Sequence, residues 1–394
     1  MTQTPTTPRA DAVRELAARW LPLLGDGDFV VSPVGLWLAL GAVASGARGR
    51  TAEEMGELLR VEGAAAAEAV TFGGRWLGQA PGVAVATGVW SRVPVLDAFR
   101  AGLPDVRFGL LPGAVWSALP DEAFGATDDM SLGEISDAQE ELDAWVRRAT
   151  GGRITRLPLD LDGSEDLVLL NALALKASWL TAFPRRLTRD EPFTDGDGNT
   201  RPVPTMRQRI PAGWVWHVGG VTVVELPCAG EGGVRVRLVL GAEGAGPDWP
   251  GADGPGDVLP AAWAGADARR PLVADAADLS LPRFTLRTKT DARKQLAALG
   301  LTRAVDPRQA DFSGLSPADL YIAKVVQEAV VEVAEEGVEA AAVTQVTMPR
   351  SAAPPRHEVV ERIAFDRPFG VVVLDGSGEV PLFTGWRRSA PPVS

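Results

Sequence analysis

Between Phe29 and Ala47 the chain runs for nineteen residues without a charged side chain. A stretch of that length raises the question of a membrane span. Ser32-Pro33 answers it. Serine is a favoured helix cap and proline fits the first helical position, so the helix proper covers about Pro33 to Ala47. That is too short to cross a bilayer. It is also apolar on every side, so it must be enclosed by protein, and the chain must build a core large enough to bury a whole helix. With 394 residues and 46% hydrophobic content the chain can do so, as one large domain or as two to three ordinary ones.

A second helix follows. Thr51-Ala-Glu-Glu54 reads as a capping box, and Met55, Leu58 and Leu59 form one apolar stripe. A third is expected from Asp137 to Thr150, capped by Ser136 and ended by Gly151-Gly152, with Leu142, Trp145, Val146 and Ala149 on its apolar face. Leu167 to Leu175 is an unbroken apolar run, which suits a central strand covered on both faces. Residues 325 to 336 alternate. Gln327, Ala329, Val331 and Val333 share one face, Glu328, Glu332 and Glu336 the other, predicting a strand with one buried and one wet side. Further strands are expected at Val221–Leu226, Val234–Leu240, Leu279–Leu286, Gly370–Leu374 and Pro381–Thr384. Residues 241 to 269, rich in Gly, Pro, Ala and Asp, read as irregular loop. Helices crowd the first half and strands the second, which favours an α+β fold.

The chain carries 39 Lys and Arg against 51 Asp and Glu, a net charge of −12. Nucleic acid and anionic membranes are held by clustered cations, so neither is expected as the main partner, and no basic patch for a polyanion is evident. Cys228 is the one cysteine, which excludes an internal disulfide and a multi-cysteine zinc site. There are two histidines, His217 and His357. Neither lies in an HExxH motif, and no GxSxG elbow or Walker A loop is present. His217 reads as a sheet residue and His357 as a solvated loop residue. Neither a hydrolase site nor a cofactor is expected. The N-terminal residues lack an apolar core behind a basic start, so a cytoplasmic protein is the simplest reading, with export by a non-classical route as the alternative.

Function is then to be sought in the segment after the alternating strand. Gly337 is a hinge candidate. If residues 338 to 348 form a strand, Val338, Ala340, Ala342, Thr344, Val346 and Met348 share one face. Glu339, Ala341, Val343, Gln345 and Thr347 share the other. The charge falls on one side and no proline intervenes before Pro349, so this segment can enter a sheet with its uncharged face inward. An Ala-rich linker or a short helix is the plainer reading. Beyond Met348 the composition turns to Pro, Arg, Ser and Ala, typical of a cleavable loop.

Several segments together resemble the serpin family over nearly the whole chain. Gly337-Val-Glu-Ala-Ala-Ala-Val-Thr344 resembles its loop hinge. Val30-Val31-Ser32-Pro33 followed by Gly46-Ala-Arg-Gly49-Arg-Thr51 is similar to the helix beneath its main sheet. Asn171 to Trp179, continuing to Phe183, is similar to its Asn…Lys…Trp…Phe segment. Phe365-Asp-Arg-Pro-Phe369 and Pro381-Leu-Phe-Thr-Gly385 resemble its C-terminal signature. The resemblance, to a bacterial-type intracellular or unsignalled member, implies a single domain over 1–394 with three β-sheets and about nine helices. It also implies an exposed reactive-centre loop at about 337–362.

The implied function is inhibition of a serine protease by a suicide route. The loop is cut, its hinge side enters the main sheet, and the acyl-enzyme is trapped. The alternative is a non-inhibitory serpin that binds or chaperones. The implied partner is a subtilisin-, elastase- or trypsin-like protease, met by a monomer. Family spacing from Gly337 implies cleavage at Ser351-Ala352, with Arg350-Ser351 next and Arg356 third. Ser32, Asn171 and Gln327 correspond to the polar cluster that controls sheet opening, and Trp179, Arg283 and Glu335 to the point where the loop enters. Incidental buried amides, core packing and solvated charges are the plain readings of the same residues. The family often has Ser where Gly35 stands and His where Gln327 stands, which leaves the hydrogen bonding of the cluster open.

Overall fold

The computed structural model describes residues 10–111, 135–156, 165–230, 232–242, 254–338 and 358–392. Eight α-helices lie among them: α1 (Ala10–Trp20), α2 (Pro33–Ala44), α3 (Gly49–Leu59), α4 (Gly63–Gln79), α5 (Asp97–Ala101), α6 (Ile135–Ala149), α7 (Pro255–Val258) and α8 (Arg293–Leu296). The strands, numbered along the chain, form three sheets. One runs β1 (Phe29–Val31), β18 (Pro381–Arg387), β17 (Phe369–Leu374), β10 (Arg235–Leu240), β9 (Val221–Pro227), β8 (Val215–Val218), β11 (Arg270–Pro271). A four-stranded sheet runs β16 (Val360–Ala364), β12 (Ala276–Pro282), β7 (Thr200–Pro211), β6 (Arg189–Thr194). The main sheet runs β3 (Arg107–Leu110), β2 (Val83–Ser91), β4 (Leu167–Leu175), β14 (Ile322–Ala334), β15 (Gly337–Val338), β5 (Ala177–Ser178), with β13 (Phe284–Asp291) also paired to β14. The fold is α+β with three sheets, as expected. No described helix is long and apolar enough to cross a membrane.

Every residue of α2 is buried, as a helix without a polar face requires. The Ser32 hydroxyl caps it by accepting from the Gly35 amide at 3.0 Å. The helix ends at Ala44 rather than Ala47, because Gly46 and Ala47 bond back to Val43 and Ala44 in tight turns. The capping-box expectation is corrected. α3 starts at Gly49, so Thr51 lies inside it and accepts from the Asp311 amide, while Glu54 accepts from the Arg303 amide. These side chains tie the helix to residues 302–311. Ser136 likewise lies inside α6 rather than capping it.

The expected strand 279–286 is two strands in two sheets. Pro282 has no amide to donate and ends β12, and Arg283 bonds to the Pro204 carbonyl before β13 begins. Residues 254–263 are not irregular. Pro255 opens α7, and a 3-10 turn follows in which Leu259 and Ala262 are buried in the main core; 243–253 lie outside the described residues. His217 lies in β8, beside Thr222, as a sheet residue.

One apolar cluster reaches all three sheets, and a smaller one lies between α6 and the outer face of the main sheet. Alternation decides which side chain joins which. Leu167, Leu169, Leu173, Leu175 and Ala177 enter the main core, while Val168, Leu170 and Ala172 lie under α6. The outer face of β14 is therefore only partly wet. Glu332 is exposed, but Glu328 is 7% exposed and pairs with Arg287 at 3.0 Å. Burial pushes the Glu328 carboxyl above its ordinary range, against the pull of Arg287. Glu336 lies past the strand, in the turn to β15.

Candidate functional site: the seam of the main sheet

β4 and β14 lie side by side and parallel, with Asn171 opposite Gln327 and Ala174 opposite Val330. Above Val330 they part, and β15 fills the opening. It runs antiparallel to both neighbours: Gly337 faces Ala334 and Ser178, and Val338 faces Val333 and Ala177. The first two predicted hinge residues thus lie at the head of the seam, with Val338 fully buried in the main core. Gly337 is required there. A Cβ on it would sit 2.1 Å from the Ala177 carbonyl oxygen and 2.6 Å from the Ser178 Cα. The other hinge candidates, Glu339, Ala340, Ala341, Ala342, Val343 and Thr344, lie outside the described residues. So do Arg350, Ser351, Ala352, Arg356 and His357.

Ser32, Asn171 and Gln327 meet in one polar row through the middle of the seam. The Gln327 amide clasps the Ser32 backbone: its Oε1 accepts from the Ser32 amide at 2.6 Å, and its Nε2 donates to the Ser32 carbonyl at 2.9 Å. Across the seam the same Nε2 donates to Asn171 Oδ1 at 3.3 Å. The Ser32 hydroxyl donates to the Leu382 carbonyl at 2.6 Å. Asn171 Nδ2 donates to Thr87 Oγ1 at 3.2 Å and to the Ala86 carbonyl at 3.4 Å. Asn171 is therefore a partnered buried amide, as its 1% exposure demands. The departures from the family pattern fit one another. A Cβ on Gly35 would lie 2.0 Å from Asn171 Oδ1, so glycine makes room for the amide. Thr87 escaped sequence reading, although it is a polar residue in the otherwise apolar Val83-Ala-Val-Ala-Thr-Gly-Val.

At the head of the seam, Trp179 is 3% exposed, and its Nε1 donates to the Ala334 carbonyl at 2.8 Å. Its backbone bridges to Cys228, whose thiol burial pushes up to about 12, leaving it an inert packing group. Glu335 is 4% exposed and accepts from Arg283 Nε at 2.9 Å and from the Thr188 hydroxyl at 2.6 Å. Burial alone would raise its pKa, but Arg283 and Thr188 outweigh it and hold the carboxyl below its ordinary range. Glu336 pairs with Arg185 at 2.5 Å. The two-residue turn ahead of the hinge is thus tied down from both sides. Thr188 and Arg185, isolated in a polar loop, gave no sequence signal.

Comparison with known proteins is consistent with this geometry. Residues 122–389 match the model for the serpin (serine protease inhibitor) family. The chain is 30% identical to leukocyte elastase inhibitor from Bos taurus over 93% of each chain. It superposes on the thermophilic serpin tengpin in its native state with a TM-score of 0.76 at 20% identity, covering 99% of this chain and 96% of that one. Human thyroxine-binding globulin complexed with its ligand gives 0.72 at 22% identity, covering 97% of each. A parallel seam parted at one end by a short strand that opens on Gly337, on a chain matched nearly end to end by such relatives, has one interpretation at the level of ancestry: the chain belongs to the serpin family.

Proposed function

We propose that this chain is an inhibitor of serine proteases, not an enzyme, and that it acts as a suicide substrate from a single serpin domain over 1–394. The observation that carries the reading is the double pairing of Gly337 and Val338 between β14 and β5. Continuing both pairings down the seam sets Ala340 opposite Val331 and Leu175, Ala342 opposite Ala329 and Leu173, and Val346 opposite Val325 and Leu169. Thr344 falls opposite both Gln327 and Asn171, which already face each other in the closed seam. The two registers therefore agree with the existing one. The sheet has only to widen, with no slip along the strands.

Chemistry supports the same register. From Val338 to Met348, Thr344 is the one polar residue on the inward face, and it meets the one polar row on the core face of β4 and β14. Ten further inserted residues, at about 1 kcal/mol net per ladder bond, supply on the order of 10 kcal/mol. A folded protease is stable by about 5–15 kcal/mol, so insertion is strong enough to distort an attached acyl-enzyme and spoil its oxyanion hole. The similarity to leukocyte elastase inhibitor supports a target that cuts after a small residue such as Ser351.

The test mixes the protein with subtilisin-, elastase- and trypsin-like proteases. An SDS-stable complex is expected with at least one of them. Cleavage of the loop with full protease activity retained would instead return the non-inhibitory reading.

A further inference from the structure

We propose that exposed apolar side chains at two separate places, one on each side of segment 339–357, form a bipartite docking surface for the body of the target protease, an enzyme with apolar residues on the rim of its cleft. The inference rests on the inhibitory reading. It uses the described residues that flank the segment, not the segment itself.

Six large hydrophobic side chains are exposed among the described residues, and five of them fall at these two places. Leu180, 60% exposed, and Leu187, 43% exposed, flank the head of the seam. Their chain neighbours reach the residues directly ahead of Gly337: the Trp179 amide donates to the Glu336 carbonyl at 3.0 Å, and the Thr188 hydroxyl donates to the Glu335 carboxylate at 2.6 Å. At the other end of the segment, Val359 and Val360 follow Glu358 and are 61% and 36% exposed. Val273, 94% exposed, belongs to the same corner. Two residues beyond it, the Asp275 amide donates to the Val359 carbonyl at 2.8 Å, and Asp275 Oδ2 accepts from the Val359 amide at 2.8 Å.

The fold does not call for these residues. Val360 lies in β16, where a valine suits a strand, but Val273 lies between β11 and β12 and Leu180 lies outside every strand. Each place is rimmed by charge, the Arg185–Glu336 pair at 2.5 Å on one side and the Arg209–Glu358 pair at 2.6 Å on the other. An apolar patch inside a polar rim is the anatomy of a protein contact. Size then selects the occupant. β12 runs from one place to the other, with Ala276 paired to Val360 and Pro282 followed by Arg283, the partner of Glu335. From Ala276 to Pro282 it covers ~20 Å. A protease domain of roughly 230 residues has a radius of gyration of ~17 Å and is ~45 Å across. A body of that width, seated on the segment that joins the two places, covers both at once.

The probe is the subtilisin-, elastase- or trypsin-like enzyme that forms the SDS-stable complex, with its catalytic serine changed to alanine so that it binds without cleaving. Wild type, Leu180→Asp, Val273→Asp and the double variant are compared by calorimetric titration. Each single change should raise Kd about tenfold, the worth of one valine- or leucine-sized contact. The double variant should raise it about a hundredfold, because sites this far apart act independently. With the active enzyme the second-order rate of inhibition should fall by the same factors. The stoichiometry should stay that of wild type, because trapping and deacylation diverge only after acylation, and the melting temperature of the intact protein should not move. A lowered melting temperature would assign the patches to contacts within the chain. A wild-type dimer in sedimentation that Val273→Asp dissolves would assign them to a second copy. Either result would overturn the proposal, as would a double variant with the wild-type Kd, and each leaves the inhibitory reading standing. Wild type that traps none of the three enzymes would remove both.

Discussion

Ala342→Arg is the most direct probe of the insertion register. That register sets residue 342 between Ala329 and Leu173, both fully buried in the main core. No carboxylate is present on the core face of either strand, since that face of β4 and β14 carries only Asn171 and Gln327 as polar groups. A guanidinium forced into this row meets an effective burial penalty of several kcal/mol. Taking about 3 kcal/mol as the increase in the barrier to passing the row, insertion slows by ~100-fold or more. Deacylation is untouched, so the acyl-enzyme hydrolyses before the strand is home. Titration against a fixed amount of protease should show the stoichiometry of inhibition rising by two orders of magnitude, with loop cleavage as fast as in wild type. Glu339→Arg supplies the control. In the proposed register it would fall on the outer face beside Lys176 and the exposed Glu332, and should change the stoichiometry less than twofold. If Ala342→Arg trapped protease as efficiently as wild type, the facing assignment and the register would both be wrong.

Three further outcomes are expected. Loop-cleaved protein should melt about 12 °C or more above intact protein by calorimetry, since ~10 kcal/mol is divided by an unfolding entropy of ~0.8 kcal/mol/K for a chain of this size; coincident transitions would contradict insertion. Gln327→Leu strips the Ser32 amide and Asn171 Oδ1 of their partners, at about 2–4 kcal/mol, and should lower the melting temperature of the intact form by ~3–5 °C. Glu335 has a depressed pKa in the fold, so its contribution is present above the ordinary Glu range and is lost as pH falls below it. Glu335→Gln should accordingly flatten the acid limb of urea stability between pH 5 and 3. Glu328, with a raised pKa, works in the opposite sense and sharpens the need for that comparison.

What could be read from the sequence is what periodicity governs. The all-apolar α2, the unbroken run of β4 and the alternation of β14 each state their burial in their residue order. Readings failed where partners are distant in the chain. Thr51 and Glu54 have the spacing of a cap, but residues 302–311 claim their side chains. Glu328 alternates as a solvent-facing residue, but α6 lies over that face. The strands β2, β6 and β7 were not distinguished from their surroundings: β2 carries small Ala and Gly residues, and β7 is interrupted by prolines. Of the seam site, Asn171 was legible as a polar residue in an apolar run, Ser32 as a helix cap and Gln327 as part of an alternating face, and the family resemblance grouped them. Which atom bonds to which was not, because Gly35 and Thr87 reach Asn171 only through the folded sheet.

The polar row also explains how a closed sheet can be made ready to open. Gln327 keeps two bonds to Ser32, and Asn171 keeps its bonds to Thr87 and Ala86, whichever way the seam moves. Of the side-chain bonds in this row, only the 3.3 Å Gln327–Asn171 bond joins the two strands, so beyond the backbone ladder the row yields at one long hydrogen bond and strands one acceptor, Asn171 Oδ1. In the proposed inserted state Thr344 would reach that row with a hydroxyl that can donate to it. Thr344→Val keeps the shape and removes the donor, so the inserted state should lose about 1–3 kcal/mol while the intact state, whose seam is closed without Thr344, loses nothing. The gap between the melting temperatures of cleaved and intact protein should therefore narrow by ~1–4 °C through the cleaved form alone. A gap equal to that of wild type would mean that residue 344 does not reach the row of Asn171 and Gln327.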